Sequence, residues 1–337
     1  MRCPHRRGFS LLELLIALTL GLTLVAAYFG ALQRNRGEFT ENESLAQLHD
    51  AARHALGVLA ADIEHAGFFG FAPAASVELV KNDTVLATQD DMRQPAADLA
   101  VLPVPGLPDG AHDCGVNFAV DLLRAVQATD NGHAVADDCE PAESAGGVRA
   151  SADTLTLRHA SLQVTESRAG RLQVLSRAAS SQPLRLFADG RVPRMLDAPS
   201  EVRDLVVRTY YVANQSVGNP RLPALRVKSL TESRGSAQFR DEEVMPGVED
   251  LQVELGYLDV DEASEIPRFV TADSPVAASA RVVAVRVWLR VRAEAREPGY
   301  REDRSFVYSN IDFTPTGSAR GHRRLLVTRT IALRNGP

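Results

Sequence analysis

The chain has 337 residues, is 45% apolar and 24% charged, and carries 37 Lys and Arg against 43 Asp and Glu, a formal net charge of −6. That apolar content with few low-complexity runs excludes a disordered chain, and the length is roughly twice that of a single compact domain. The negative balance argues against a strong polyanion binder, although residues 281–337 hold 12 Arg against five acidic residues, an asymmetry that suits either docking or the solvent face of strands.

The chain opens on a short basic stretch with Arg2, Arg6 and Arg7, closed by Gly8, Phe9 and Ser10. Leu11 to Leu32 follows as a 22-residue apolar run whose single charge is Glu13. As a helix it covers roughly 33 Å, enough to span a bilayer core. The leading arginines favour a cytoplasmic N-terminus, a bias weakened by Arg34 and Arg36 beyond the run. A secretory signal cut after Val25-Ala26-Ala27, or an ordinary signal anchor, explains the run but leaves Glu13 unexplained. A carboxylate in hydrocarbon costs roughly 2.5–3.5 kcal/mol at a helix centre and less near an interface, which makes Glu13 a functional candidate in need of a partner. Gly21 and Gly30 are the breakers in the run, each weakening a helix by about 1 kcal/mol relative to Ala.

Beyond the run the pattern turns amphipathic. Leu45, Leu48, Ala52, Leu56, Leu59 and Ile63 recur at steps of three and four, with Glu43, Gln47, Asp50, Arg53 and Glu64 on or near the other face. His49, His54 and His65 read as solvent-face residues. Thr40-Glu41-Asn42-Glu43 has the form of a capping box, marking either a fresh start after Gly37 or a mid-helix position. Gly67 is the expected stop. The expected division is a leader at 1–8, a transmembrane helix at 9–32, an amphipathic half at 33–67 and a β-rich head at 68–337.

In the head, strands are expected at 77–80, 98–102, 154–159, 161–165 and 171–175, with a turn at Arg168-Ala169-Gly170. A loop-rich insertion is expected at about 103–149. Further strands fall at 205–212, 224–227, 305–308 and 325–333, where Arg329 interrupts the apolar face and suggests a bulge or strand exit. Two segments alternate strictly: Leu251, Val253, Leu255 and Tyr257, then Val283, Val285, Val287, Leu289 and Val291. Between the latter stand Arg286, Trp288, Arg290 and Arg292, read as an outward arginine ladder or, less simply, as a phosphate track beside an aromatic. The fold class is α+β: a long helix, transmembrane and then amphipathic, laid on an antiparallel sheet so that both bury their apolar faces.

Cys3 lies in the leader; Cys114 and Cys139 lie in the insertion, which the topology puts outside the cytoplasm. Two thiols in an oxidising compartment read as a disulfide closing a loop of about 25 residues, worth about 3 kcal/mol. His112 and His133 complete a Cys₂His₂ set whose spacing matches no familiar zinc finger. Asp259, Asp261, Glu262 and Glu265 form an acidic loop without the glycine and spacing of an EF-hand. No nucleophile elbow, zincin helix or phosphate loop occurs, so neither an enzyme nor a cofactor is expected.

The run Gly8-Phe9-Ser10-Leu11-Leu12-Glu13 with its apolar continuation resembles the class III signal of type IV prepilins. Later segments resemble minor pilins of the PilW type: Asp62-Ile63-Glu64-His65-Ala66-Gly67-Phe68-Phe69-Gly70, Cys114-Gly115-Val116-Asn117, Ala152-Asp153-Thr154-Leu155-Thr156-Leu157-Arg158, Gly247-Val248-Glu249-Asp250-Leu251-Gln252-Val253, and Arg323-Arg324 through Thr330-Ile331-Ala332-Leu333-Arg334-Asn335. The resemblance implies cleavage between Gly8 and Phe9 by a membrane prepilin peptidase. It implies methylation of the new Phe9 amine, and neutralisation of Glu13 by a neighbour's Phe9 ammonium during assembly. Major pilins of that family usually carry a mid-helix proline, which this run lacks. The implied partners are other minor pilins, the major pilin and the inner-membrane assembly platform. The implied location is the inner membrane in a single pass, head in the periplasm, and then the pilus. A minor pseudopilin of type II secretion, or a tip subunit binding a surface or DNA, stays open as an alternative.

Overall fold

The structure is a computed structural model and describes residues 10–71, 76–88, 119–131, 146–178, 183–194, 199–233, 235–258, 266–272, 274 and 282–335. The strand expected at 98–102, Cys114 and Cys139 of the expected disulfide, His112, His133 and the acidic loop at 259–265 lie outside the described residues. Two compact units make up the chain, Met1–Gln47 and Leu48–Pro337.

The helix α1 runs over Leu11–His65, 55 residues, helical through Gly21, Gly30 and Gly37. The Thr40 to Glu43 pattern therefore sits mid-helix and starts nothing. In the apolar part, Thr19 and Thr23 turn their hydroxyls onto the carbonyls of Ile16 and Leu20, both at 2.9 Å, so neither donor is left without a partner in apolar surroundings.

From Leu48 onward the helix belongs to the head. Its buried stripe is Leu48, Ala52, Ala55, Leu59, Ile63 and Ala66, again at steps of three and four. Leu45 and Leu56, expected in that stripe, are half-buried on its flank, and Ala55 takes the inward position. Ala52, Ala55, Ala60 and Ala66 end at Cβ, so the strands come close to the helix backbone. The helix stops where expected: Gly67 adopts φ +80° and gives its N–H to the Arg158 carbonyl at 3.0 Å.

The strands are β1 (Val77–Lys81), β2 (Thr84–Thr88), β3 (Val126–Thr129), β4 (Thr154–Ala160), β5 (Ala169–Arg177), β6 (Leu184–Asp189), β7 (Ser200–Ala213), β8 (Ala224–Ser233), β9 (Ser236–Pro246), β10 (Val248–Tyr257), β11 (Arg268–Thr271), β12 (Val282–Arg292), β13 (Phe306–Tyr308), β14 (Ile311–Phe313) and β15 (Arg324–Ala332). A nine-stranded sheet follows β2-β1-β6-β5-β7-β4-β3, with β8 paired to β7 and β9 to β8. A four-stranded sheet follows β11-β10-β12-β15, and β13 and β14 form a hairpin. Pairing is antiparallel except for β1 with β6, which run parallel from Val77↔Leu184. These two strands lie far apart in sequence, so no tight turn constrains their direction.

The 14-residue β7 organises the larger sheet. Tyr210 and Val212 face the core that holds the helix, together with Leu155 and Leu157 of β4 and the inward residues of β8, β10, β12 and β15. Leu205 and Val207, of opposite parity, face a second core with Phe69, Leu79, Val174 and Leu186. The helix stripe is thus covered by strands of both sheets, and the larger sheet has apolar cover on both faces.

Several expectations need correcting. No strand forms at 161–165; instead Arg203 donates to the Ser161 carbonyl at 2.9 Å, and Ser161 turns its hydroxyl onto Gln163 at 2.7 Å. Residues 169 and 170 begin β5. The insertion contains β3, whose four residues pair with β4. Arg329 sits in an unbroken ladder opposite Val287, without a bulge, exposed on a strand at the sheet edge. Unforeseen β2 is reached by a turn at Asn82 and Asp83, both at positive φ, the twist that tight hairpins require.

Gly70 closes the helix-to-sheet passage at φ +94°, and a Cβ there would overlap the Ser176 hydroxyl and meet Glu201. Gly70→Ala is expected to destabilise the head by about 1–3 kcal/mol, read as a lowered denaturation midpoint of the full chain in detergent micelles.

Candidate functional site

Two places in the chain concentrate functional chemistry: the start of α1 and a set of buried charges in the head. Leu11, Leu12, Leu14, Leu15 and Ile16 are all at least half exposed, and the span Leu11–Leu32 buries nothing of itself, leaving its apolar surface for lipid or another helix. Gly8 and Phe9 lie outside the described residues. Glu13 does not stand free: its carboxylate accepts the Ser10 backbone N–H at 3.0 Å, while the Ser10 hydroxyl accepts the N–H of Leu12 at 3.3 Å. This is a capping box, and it places a negative charge where the helix dipole favours one. Ser10 is thus a capping residue beyond those expected at the site, and the pattern Ser-x-x-Glu ahead of an apolar run is its signal.

In the head, the segments singled out for their resemblance carry buried ions. Asp62, on the helix, is 6% exposed and accepts Arg208 at 2.6 and 2.8 Å and the Tyr210 hydroxyl. His159 of β4 stands 4.0 Å from the same carboxylate. His65, read as a solvent-face residue, is half-buried with its ring 6.1 Å from that of His159.

A second group lies on the face of the four-stranded sheet that the β13–β14 hairpin covers. Arg324, fully buried, holds Glu249 in a fork at 2.7 and 3.1 Å, and Arg290 reaches the same carboxylate at 3.2 Å. Arg290 lies 3.3 Å from Asp250 and stacks 3.7 Å over the Phe313 ring; Tyr308 donates to Asp250. Burial alone would raise the Glu249 carboxyl, but the Arg324 hydrogen bonds and the charges of Arg324 and Arg290 outweigh it and hold it at about 2. Asp250 is pushed up by burial, which the charge of Arg290 opposes without overcoming.

The expected arginine ladder is therefore corrected. Arg290 is 2% exposed and internally paired, so it faces neither solvent nor a phosphate. Arg286 is half-exposed and committed to Glu254 and Thr330, both at 3.2 Å, over the Phe269 ring.

Asp153 ties the two sheets together. From the start of β4 it accepts the Val253 N–H of β10 at 2.8 Å and the Asn131 N–H at 3.0 Å, and its own N–H goes to the Leu251 carbonyl at 2.9 Å. Burial raises its carboxyl to about 7 against the pull of those two donors. Among the described residues no group of three or more His, Cys, Asp and Glu is placed to hold a metal ion.

Residues 209–335 match the family described as Type IV Pilus-assembly protein W, and residues 3–29 match the Prokaryotic N-terminal methylation motif. Neither the curated proteins nor the solved structures compared with the chain offer a match. The two matches support a PilW-type pilin related to the type IV pilus, a family of structural pilus components. The prepilin signal with its apolar helix points to membrane anchoring.

The Asp153 geometry has a pH consequence. From its ordinary 3.8 up to about 7 the unfolded carboxyl has lost its proton while the folded one keeps it, so this residue makes the head less stable as pH rises through that window. Asp153→Asn is expected to flatten that slope relative to wild type, measured as urea midpoints from pH 4.5 to 7.5.

Proposed function

We propose that the chain is a minor pilin that primes type IV pilus assembly with other minor pilins and sits at or near the tip. The observation that carries this reading is the coincidence, in one chain, of a methylation-motif start and a PilW-family head. The signal supports cleavage between Gly8 and Phe9 by a prepilin peptidase, followed by methylation of the Phe9 amine. Glu13 is then the assembly residue. Its carboxylate, held at the first turn of α1 by Ser10, is presented for a neighbour's Phe9 ammonium. Until assembly the apolar run is a single-pass anchor in the inner membrane with the head in the periplasm. Release from the bilayer places the head on the filament. In the periplasm Cys114 and Cys139 form the disulfide of the insertion.

The PilW match favours a pilus over a type II secretion pseudopilin, because the prepilin signal is common to both. The partners in this reading are the prepilin peptidase, the other minor pilins, the major pilin and the assembly platform. Nucleic acid is left out of this reading: among the described residues, the strand face read as a phosphate track has Arg290 buried and Arg286 paired.

Cells lacking the chain are expected to yield little sheared major pilin, with recovery when the retraction motor is also removed; unchanged pili in both backgrounds would refute a priming role. Glu13→Ala is expected to be processed normally yet to co-purify with sheared pili at a small fraction of the wild-type level. Normal recovery of that variant in pili would remove the charge-pairing role of Glu13.

A further inference from the structure

At the end of α1 the buried charges leave one valence open. His159 is 7% exposed, and its Nδ1 lies 2.9 Å from the Ala160 carbonyl, which fixes the proton on that nitrogen. The other nitrogen, Nε2, is buried without a hydrogen-bond partner and points toward Asp62 Oδ1 at 4.0 Å. A lone pair therefore faces a carboxylate at a distance beyond hydrogen-bond reach, and a proton placed on it would be a buried charge with no bonded partner.

We propose that His159, buried as a neutral ring between the helix end and the larger sheet, is a proton-operated latch, closed while the ring is neutral and slackened when mild acid puts a proton on it. Burial of the ring sets the direction, and the groups facing it are divided. From α1 come Asp62, which favours the proton, and His65, which opposes it. From β7 comes Arg208, which opposes it and already occupies both Asp62 oxygens, with the Tyr210 hydroxyl on one of them. On β4 itself the Ala160 carbonyl favours the charged ring. A second cation beside Arg208 inside the head can be accommodated only by moving the ring toward water. Movement of that ring displaces the helix end, because Gly67 is bonded to the Arg158 carbonyl and Ala160 to the Phe68 carbonyl on either side of it.

The charge balance around the ring has the same sign. Burial lowers the His159 pKa from its ordinary 6.5, with the charges of Arg208 and His65 adding to it against the Ala160 bond and Asp62. A depressed histidine contributes stability that is present above 6.5 and lost as pH falls below it. Acid thus weakens the helix–sheet joint, while the same acid strengthens the joint between the two sheets through Asp153.

The test is hydrogen exchange of the full-length chain in detergent micelles at pH 7.5 and 5.0, corrected for intrinsic exchange rates. Amides of residues 59–67 in the wild type are expected to lose on the order of tenfold in protection at the lower pH. His159→Gln, which keeps a polar side chain but cannot take the proton, is expected to change less than twofold. Equal pH dependence in wild type and His159→Gln would overturn the latch. If that variant failed to fold, the imidazole resonances of His159 in the wild type would decide: titration at or above 6.5 overturns the proposal, and titration below it with coincident shifts in the amides of 59–67 supports it. The latch holds or fails independently of which filament the chain joins.

Discussion

Both sheets of the head have to reach one helix, and alanine makes that possible. Leu48, Leu59 and Ile63 supply the apolar bulk, while Ala52, Ala55, Ala60 and Ala66 keep the helix surface low enough for strands of both sheets to come within contact. A fully buried Leu or Ile gains about 1.5–3 kcal/mol over an exposed one, so the stripe contributes much of the joint's driving force. Larger residues at the alanine positions would hold the strands off and open a gap that nothing else in the core fills. The double cover of β7, apolar on both faces, follows from the same closeness. One face is taken by the helix core, and the other packs into the second core with Phe69, Leu79, Val174 and Leu186.

Once the helix is that deeply covered, its polar residues must be neutralised inside. Asp62 is the clearest case, with Arg208 and Tyr210 reaching it from β7. The Glu249 group repeats the logic on the outer face of the smaller sheet, where the β13–β14 hairpin excludes water and two arginines share a carboxylate. Charge pairs of this kind contribute little net stability compared with an apolar replacement, but removing one partner strands the other. They do discriminate between registers, since a strand slipped by one residue would leave a buried ion alone. The segments that resemble the PilW type contain Asp62, Asp153, Glu249, Asp250 and Arg324, so the likeness and the buried charges fall on the same stretches of chain.

Much of this was legible in the sequence and some was not, for identifiable reasons. Period-2 alternation found β10 and β12 because one of their faces is purely apolar, and period 3.6 found the helix through Gly67. The same alternation misled at Arg290: it tells which residues share a face, and it says nothing of a hairpin that later covers that face. β9 escaped because Arg240, Asp241, Glu242 and Glu243 give no apolar rhythm; it is a peripheral strand of its sheet, and its polar character suits that position. The Ser161 to Thr165 stretch was read as a strand on composition alone, and the Arg203 guanidinium claims its carbonyls instead. Ser10 is hidden from hydropathy and charge patterns, and only its spacing of three from Glu13 marks it as a cap.

The far end of β15 returns to the helix. Past its last residue, the Arg334 N–H bonds the Glu64 carbonyl at 3.0 Å and its guanidinium meets the Glu64 carboxylate at 2.7 Å, while Ile331 completes the core beneath. The helix is synthesised before every strand, and β15 after all the other strands described. The element that is made earliest therefore waits, its alanine stripe not fully covered, until about 270 residues of chain have been made and β15 has come back to it. Contacts of such long sequence separation make folding slow, and an unfinished head keeps an apolar helix face open throughout that interval. For such a fold, the order of synthesis itself sets a period of vulnerability, and whatever escorts the nascent chain has to last until the end of it.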